Sequence, residues 1–291
     1  RQQTRKNIRK GIIAAVAVVI VFIAAFGGYQ FYQYTRINDR YESAKQYIAN
    51  YNYEEAIKVY RSLGNYKDSP EQVLETKYLY AEYQAIINQY DEAVRIYTEL
   101  GSYKDSAQKI KETYLAWGNY ARESKNFADA FAYYEKAGDL VNEELRNETT
   151  YDYAMNLKET GNYEQAIETF TILIEQDGIK TLISECYYGW GKTLLNQNRY
   201  DDAIECFKHC YDVQDARELN AEAYYLKGEK MSLAGNVELA YNCYLNAAGH
   251  EDAEEKKLAL SYDMAMIHLK SGNYNAALLY FNNAASIEGA E

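Results

Sequence analysis

A single proline, Pro70, stands in 291 residues, so the commonest interruption of helix is nearly missing. No cysteine precedes Cys186. That absence excludes a lipoprotein attachment site near the N-terminus, and the four cysteines present (Cys186, Cys206, Cys210 and Cys243) form no Cys-x-x-Cys pair and no dense disulfide framework of a stapled secreted domain. Cys206 and Cys210 are four residues apart with His209 beside them, too few ligands for a closed metal site, and they read as small buried thiols. There is no Gly-x-Gly-x-x-Gly, no phosphate-binding Gly-Lys-Ser/Thr and no His-Glu-x-x-His. His209, His250 and His268 are scattered, with no nucleophile–base–acid arrangement. The expectation is a chain without enzymatic activity, cofactor or metal. Positive charge is scarce after the first ten residues: five cations there (Arg1, Arg5, Lys6, Arg9, Lys10) enter a net charge of −12, and without them the rest stands at −17. Nucleic acid is excluded as partner, since phosphate binding needs a cationic surface.

What is abundant is tyrosine, 33 residues, laid out with a period. Seven copies of one pattern recur at intervals of 37, 37, 36, 37, 37 and 37 residues: Tyr53-Ala56-Tyr60, Tyr90-Ala93-Tyr97, Phe127-Ala130-Tyr134, Tyr163-Ala166-Phe170, Tyr200-Ala203-Phe207, Val237-Ala240-Tyr244 and Tyr274-Ala277-Phe281. A unit this small cannot bury its own apolar face, so the period predicts a stacked array. Twelve residues before each alanine stands Gly or Ala (44, 81, 118, 154, 191, 228, 265), as two helices in close approach require. Gly161, Gly235 and Gly272, each followed by Asn, mark the turn between the helices. The links between units repeat as well: Leu63-Gly64-Asn65-Tyr66-Lys67-Asp68-Ser69 returns as Leu100-Gly101-Ser102-Tyr103-Lys104-Asp105-Ser106. In them Ser69 reads as an N-cap, with Pro70 in the first turn and Gln72 closing a capping box.

Residues 11–35 carry no charge, and Ile12 to Phe26 are apolar throughout, long enough as helix to cross a hydrocarbon core of ~30 Å. Tyr29, Phe31, Tyr32 and Tyr34 form an aromatic belt at the far end, opposite the basic flank 1–10. This predicts a single-pass cell-membrane anchor over 11–35, the N-terminus cytoplasmic and the repeats 37–291 outside. A cleavable signal peptide is the alternative. No Pro/Gly/Ser linker intervenes, so the anchor is expected to run into the first repeat helix. The initial Arg, and the uncapped Leu278, Phe281, Ala285 and Ile287 of the last helix, are read as signs of a segment of a longer protein.

Leu182 to Gly191, with Trp190 and Gly191 at its end, and Asn198-Arg199-Tyr200-Asp201-Asp202-Ala203-Ile204 resemble the Trp-Leu-Gly…Tyr…Ala…Phe pattern of the tetratricopeptide repeat family. The period departs from that family's 34 residues. The Tyr-Lys-Asp-Ser links after an anchor resemble membrane-tethered repeat proteins of Gram-positive bacteria. The resemblance implies an all-α, right-handed superhelical solenoid of about seven helix-turn-helix repeats behind one transmembrane helix. It also implies a concave groove, lined by the first helix of each pair, that grips proteins or peptides. On those helices Tyr41, Tyr78, Tyr151, Tyr188, Tyr225 and Tyr262 share one position, with Leu115 in the third repeat. Glu75, Glu112, Glu148, Glu185 and Glu222 stand three residues before it, on the same face. A tyrosine ladder edged with carboxylates predicts a basic or lysine-bearing partner, and the position one turn further on is expected to be solvated. The other readings are a module for wall glycan or stem peptide, and a spacer for an absent domain.

Overall fold

The computed structural model describes residues 2–285, with side chains at Gln2 and from Lys10 onward. Arg1, Ile287 and the side chains of Arg5, Lys6 and Arg9 lie outside the described residues. Within them all regular structure is helical: fifteen α-helices and one 3-10 turn, in two compact units, Arg1–Asn142 and Glu143–Glu291.

The first unit comprises α1 (Gln2–Ala49), α2 (Tyr53–Leu63), α3 (Ser69–Ile86), α4 (Tyr90–Leu100), α5 (Ser106–Glu123) and α6 (Phe127–Ala137), closed by a 3-10 turn at Gly138–Leu140. The second comprises α7 (Glu143–Glu159), α8 (Tyr163–Thr171), α9 (Ile179–Asn196), α10 (Tyr200–Lys208), α11 (Ala216–Leu233), α12 (Val237–Asn246), α13 (Ala253–Ala259), α14 (Ser261–Lys270) and α15 (Tyr274–Ala285). The units thus hold three and four helix hairpins. In the last hairpin the first helix is broken at Leu260.

One packing rule makes every hairpin. The anchor alanines Ala56, Ala93, Ala130, Ala166, Ala203 and Ala240 are fully buried, and Tyr60, Tyr97, Tyr134, Phe170 and Phe207 are among the largest fully buried side chains. Each aromatic lies against the Gly or Ala of its partner helix. A Cβ added to Gly118 would fall 2.5 Å from the Tyr134 ring, and one added to Gly191 or Gly228 would fall 2.7 Å from Phe207 or Tyr244. The turn inside each hairpin needs a left-handed residue. Gly161, Gly235 and Gly272 supply it as expected, but Tyr51, Asn88, Lys125 and Asn198 take the same conformation with side chains, φ 58° to 61°.

The links differ from expectation at the cap. Ser69 and Ser106 are fully buried first residues of their helices, and their hydroxyls donate inward to the carbonyls of Tyr66 and Tyr103. Asp68 and Asp105 hold the cap position instead. Gln72 donates its side-chain amide to Asp68 Oδ2, so the capping box expected at Ser69 does not form. Lys67 and Lys104 adopt φ 50° and 49°, which folds each link back over its own repeat.

α1 is 48 residues long and unbroken, roughly 72 Å at 1.5 Å per residue. Its Lys10–Ala49 stretch is long and apolar enough to cross a membrane. Apolar side chains there are open to the surroundings, with Phe22 at 71 % exposure and Val21 at 66 %. The same helix continues as the first helix of repeat 1. Tyr66 of the first link meets Tyr34 edge-on at 6.3 Å, and Arg40 donates to Ser62 Oγ.

Candidate partner groove

The six ladder tyrosines occur in two conditions. In repeats 1 and 2 they are buried: Tyr41 is 5 % exposed and Tyr78 7 %. Each packs edge-on against the hairpin aromatic, Tyr41 on Tyr60 at 5.5 Å and Tyr78 on Tyr97 at 5.6 Å. Their hydroxyls donate to the link carboxylates, Tyr41 to Asp68 Oδ1 at 2.5 Å and Tyr78 to Asp105 Oδ1 at 2.6 Å. The link lysines lie over the rings, Lys67 Nζ 4.5 Å from the Tyr41 centroid and Lys104 Nζ 4.7 Å from that of Tyr78. Lys104 also pairs with Glu75 at 2.5 Å, and Glu75 accepts from the Tyr103 hydroxyl at 2.9 Å.

Electrostatics follow from these contacts. Donation from Tyr41 and Tyr78 holds the Asp68 and Asp105 carboxyls below the usual carboxylate range. The Lys104 ammonium does the same for Glu75. The Tyr41 phenol is raised chiefly by its bond to Asp68, and that of Tyr78 chiefly by burial.

Repeat 3 has Leu115 in the ladder, and Glu112 pairs with Lys109 on its own helix at 3.0 Å. Repeat 5 keeps part of the clamp: Tyr188 donates to Asp215 at 2.6 Å, Lys192 lies 5.0 Å over its ring, and Glu185 is held by Lys158. In repeat 6, Tyr225 stacks on His250 at 3.9 Å, and Glu222 is half-buried. In repeats 4 and 7 the ladder tyrosines are less covered. Tyr151 is 37 % and Tyr262 57 % exposed; each touches the hairpin aromatic edge-on, Phe170 at 6.1 Å and Phe281 at 5.8 Å. Glu148 is exposed.

The link residues Lys67, Lys104, Asp68, Asp105 and Asp215 were missed as partners of the ladder. The signal was present in the recurring Tyr-Lys-Asp-Ser link, which local reading absorbs as a helix start. The cysteines are inward, with burial pushing Cys186 and Cys210 up to about 11 and Cys206 to about 12. His209 stacks on Tyr187 at 4.5 Å.

An array of aromatic-on-glycine helix hairpins defines a helical-repeat protein. By comparison, residues 148–177, 184–216 and 259–290 match tetratricopeptide repeat models. No curated protein matches the chain. Among solved structures it is similar to the C-terminal part of a TPR repeat-containing protein from Cytophaga hutchinsonii, at 15 % identity over 86 % of this chain and 96 % of that one, TM-score 0.25. It is also similar to MamA from Desulfovibrio magneticus, at 16 % identity over 62 % and 96 %, TM-score 0.21. A third is the Rap conjugation gene regulator of plasmid pLS20 in complex with the Phr* peptide, at 16 % over 85 % and 73 %, TM-score 0.23.

Proposed function

We propose that the protein is a non-enzymatic scaffold tethered to the membrane by α1, with its repeats outside the cell, and that the ladder of the second unit receives a basic protein or peptide. The observation that carries this is the contrast in exposure between Tyr151 and the clamped Tyr41 and Tyr78. A tyrosine open to solvent beside carboxylates offers a rigid apolar face with a polar tip to a cationic partner. The array's negative charge supports attraction of such partners over distance, an effect that salt weakens. The uncharged, exposed run of α1 supports the tether, and the basic flank supports a cytoplasmic N-terminus.

The test is affinity capture from an envelope extract by the full chain in detergent. It runs beside a variant carrying Glu148→Gln, Tyr151→Leu and Tyr262→Leu, once circular dichroism shows equal helicity. A protein retained by the parent, released by raised salt and lost by the variant is the expected result. Equal capture by both, or none, overturns the groove and turns attention to wall glycan.

A further inference from the structure

The first charge after the uncharged run of α1 is Arg36, and one turn further stands Arg40. Tyr32, Arg36 and Arg40 follow at intervals of four, so they form one stripe along the helix. With Thr35, Asp39 and Ser43 they line a shallow depression of about 400 Å³.

The next repeat shows what is particular about this stripe. Thirty-seven residues on, the places of Arg36, Asp39 and Ser43 are held by Val73, Thr76 and Tyr80. Those residues pack on repeat 1: Val73 lies against the cluster of Tyr41, Ala44 and Tyr60, Thr76 is fully buried, and Tyr80 stacks on Tyr53 at 5.6 Å. On α1 both Arg36 and Asp39 are exposed, and Arg36 has no hydrogen-bond or ion-pair partner among the described residues. The cations differ in the same sense. Lys77, the counterpart of Arg40, pairs with Glu99 at 2.7 Å. Arg40 meets Ser62, the counterpart of Glu99, and a hydroxyl brings no charge to offset it. Two arginines beside one aspartate leave the depression with a surplus of positive charge.

Its height along the helix is also set. A hydrocarbon core of ~30 Å takes about twenty helical residues, which counted from Ile12 ends near Phe31. Arg36 then stands about 7.5 Å beyond the core and Arg40 about 13.5 Å, around the outer edge of the headgroup layer. Helical side chains lean toward the N-terminus, here toward the bilayer, and the long arginine stem carries the guanidinium further that way.

We infer that the Tyr32–Arg36–Arg40 stripe holds the headgroup of an anionic phospholipid of the bilayer that α1 crosses, its phosphodiester oxygens taken by the two guanidinium groups. This rests on the tether by α1 and names the lipid that the tether meets. The planar fork of arginine matches phosphate oxygens, and a single phosphodiester charge neutralises the depression. Phosphatidylglycerol has that one charge, and its glycerol hydroxyls supply donors for Asp39.

The test is native mass spectrometry of the full chain in detergent, titrated with phosphatidylglycerol or with phosphatidylcholine of the same acyl chains. Phosphatidylglycerol is expected to bind more tightly. Arg36→Gln and Arg40→Gln should each weaken it about fivefold and leave phosphatidylcholine unchanged. Ser62→Glu, which gives Arg40 the counter-ion that Lys77 has, should act as Arg40→Gln does. The basic flank is a rival site, so each variant is also read in a chain carrying Arg5→Gln, Lys6→Gln, Arg9→Gln and Lys10→Gln. Equal retention of the two lipids overturns the headgroup site. So does a preference that ignores Arg36→Gln and Arg40→Gln, or one that vanishes once the flank is neutralised. Flotation with phosphatidylcholine vesicles reads the tether separately. A chain that floats but does not prefer phosphatidylglycerol keeps the tether and removes the headgroup site; one that fails to float removes both.

Discussion

In the first unit both Tyr-Lys-Asp-Ser links fold back over the ladder, the aspartate taking the tyrosine hydroxyl and the lysine covering the ring. In the second unit none of the three described links has that tetrapeptide: they read Gln176-Asp177-Gly178-Ile179, Val213-Gln214-Asp215-Ala216 and His250-Glu251-Asp252-Ala253. Only the aspartate of the middle one still accepts from its tyrosine, Tyr188. The hairpin packing beneath is the same in both. A single residue type at a single repeat position can therefore be a structural clamp in one half of an array and an accessible surface in the other, and the link, rather than the helix bearing the tyrosine, decides which.

That contrast can be broken at several strengths. The largest effect is all-or-none. The first unit has no cysteine, and the four of the second are buried, with Cys186, Cys206 and Cys210 pushed up to between about 11 and about 12, so little thiolate exists near neutrality. A Ser124→Cys chain should then react with a membrane-impermeant maleimide on intact cells while the parent does not. Labelling of Ser124→Cys only after lysis would place the repeats on the cytoplasmic side.

Next is the packing common to the two units. Gly118→Val should lose about 3 kcal/mol or more in denaturant unfolding, because its Cβ meets Tyr134, a ring 1 % exposed and tied by its hydroxyl to Asn119 at 2.8 Å. Gly228→Val against Tyr244 should cost a similar amount. A large loss in one unit only would mean that the shared packing rule is not what holds both.

A smaller change runs the other way. The first unit has tyrosine at all three hairpin aromatics, whereas the second has phenylalanine at three of four (Phe170, Phe207, Phe281). The Tyr60 hydroxyl is buried with no hydrogen-bond partner. Tyr60→Phe should raise stability by about 1 kcal/mol, read as a higher unfolding midpoint. A lowered midpoint would reveal an unseen partner for that hydroxyl.

The smallest effect bears most directly on the ladder. Tyr41→Phe should cost at most about 1 kcal/mol, since Asp68 lies largely in solvent, and Tyr151→Phe nothing measurable. Because Tyr41 holds the Asp68 carboxyl below its ordinary value, this contribution is present above the unfolded carboxyl's range, near pH 4. It fades as pH falls through the lowered folded value. Parent and Tyr41→Phe should differ in midpoint at pH 7 and converge in strong acid. A difference constant with pH would assign the loss to packing instead.

The repeat phase was legible because alanine, glycine and aromatic recur at fixed spacing, and such spacing survives whatever surrounds it. The unbroken passage from apolar run to first repeat was legible from the absence of linker residues. The condition of the ladder was not. Tyr41 and Asp68 are 27 residues apart, and whether they meet depends on a left-handed lysine that no local propensity requires. The misplaced cap has the same origin. Asp68 and Ser69 both favour helix starts, and what separates them is the pull of Tyr41 on one and of the Tyr66 carbonyl on the other. Exposure of Tyr151 likewise reflects what its link lacks, which its own helix does not record.

Since α1 passes without a break from its apolar run into repeat 1, the two share a rotational phase. One residue added between Tyr34 and Asn38 would swing repeat 1 by about 100° around the helix axis and raise it about 1.5 Å, and seven would bring it back within about 20° of its first heading. On a bilayer, the compass bearing of the first repeat relative to neighbouring membrane proteins would thus be set by a residue count.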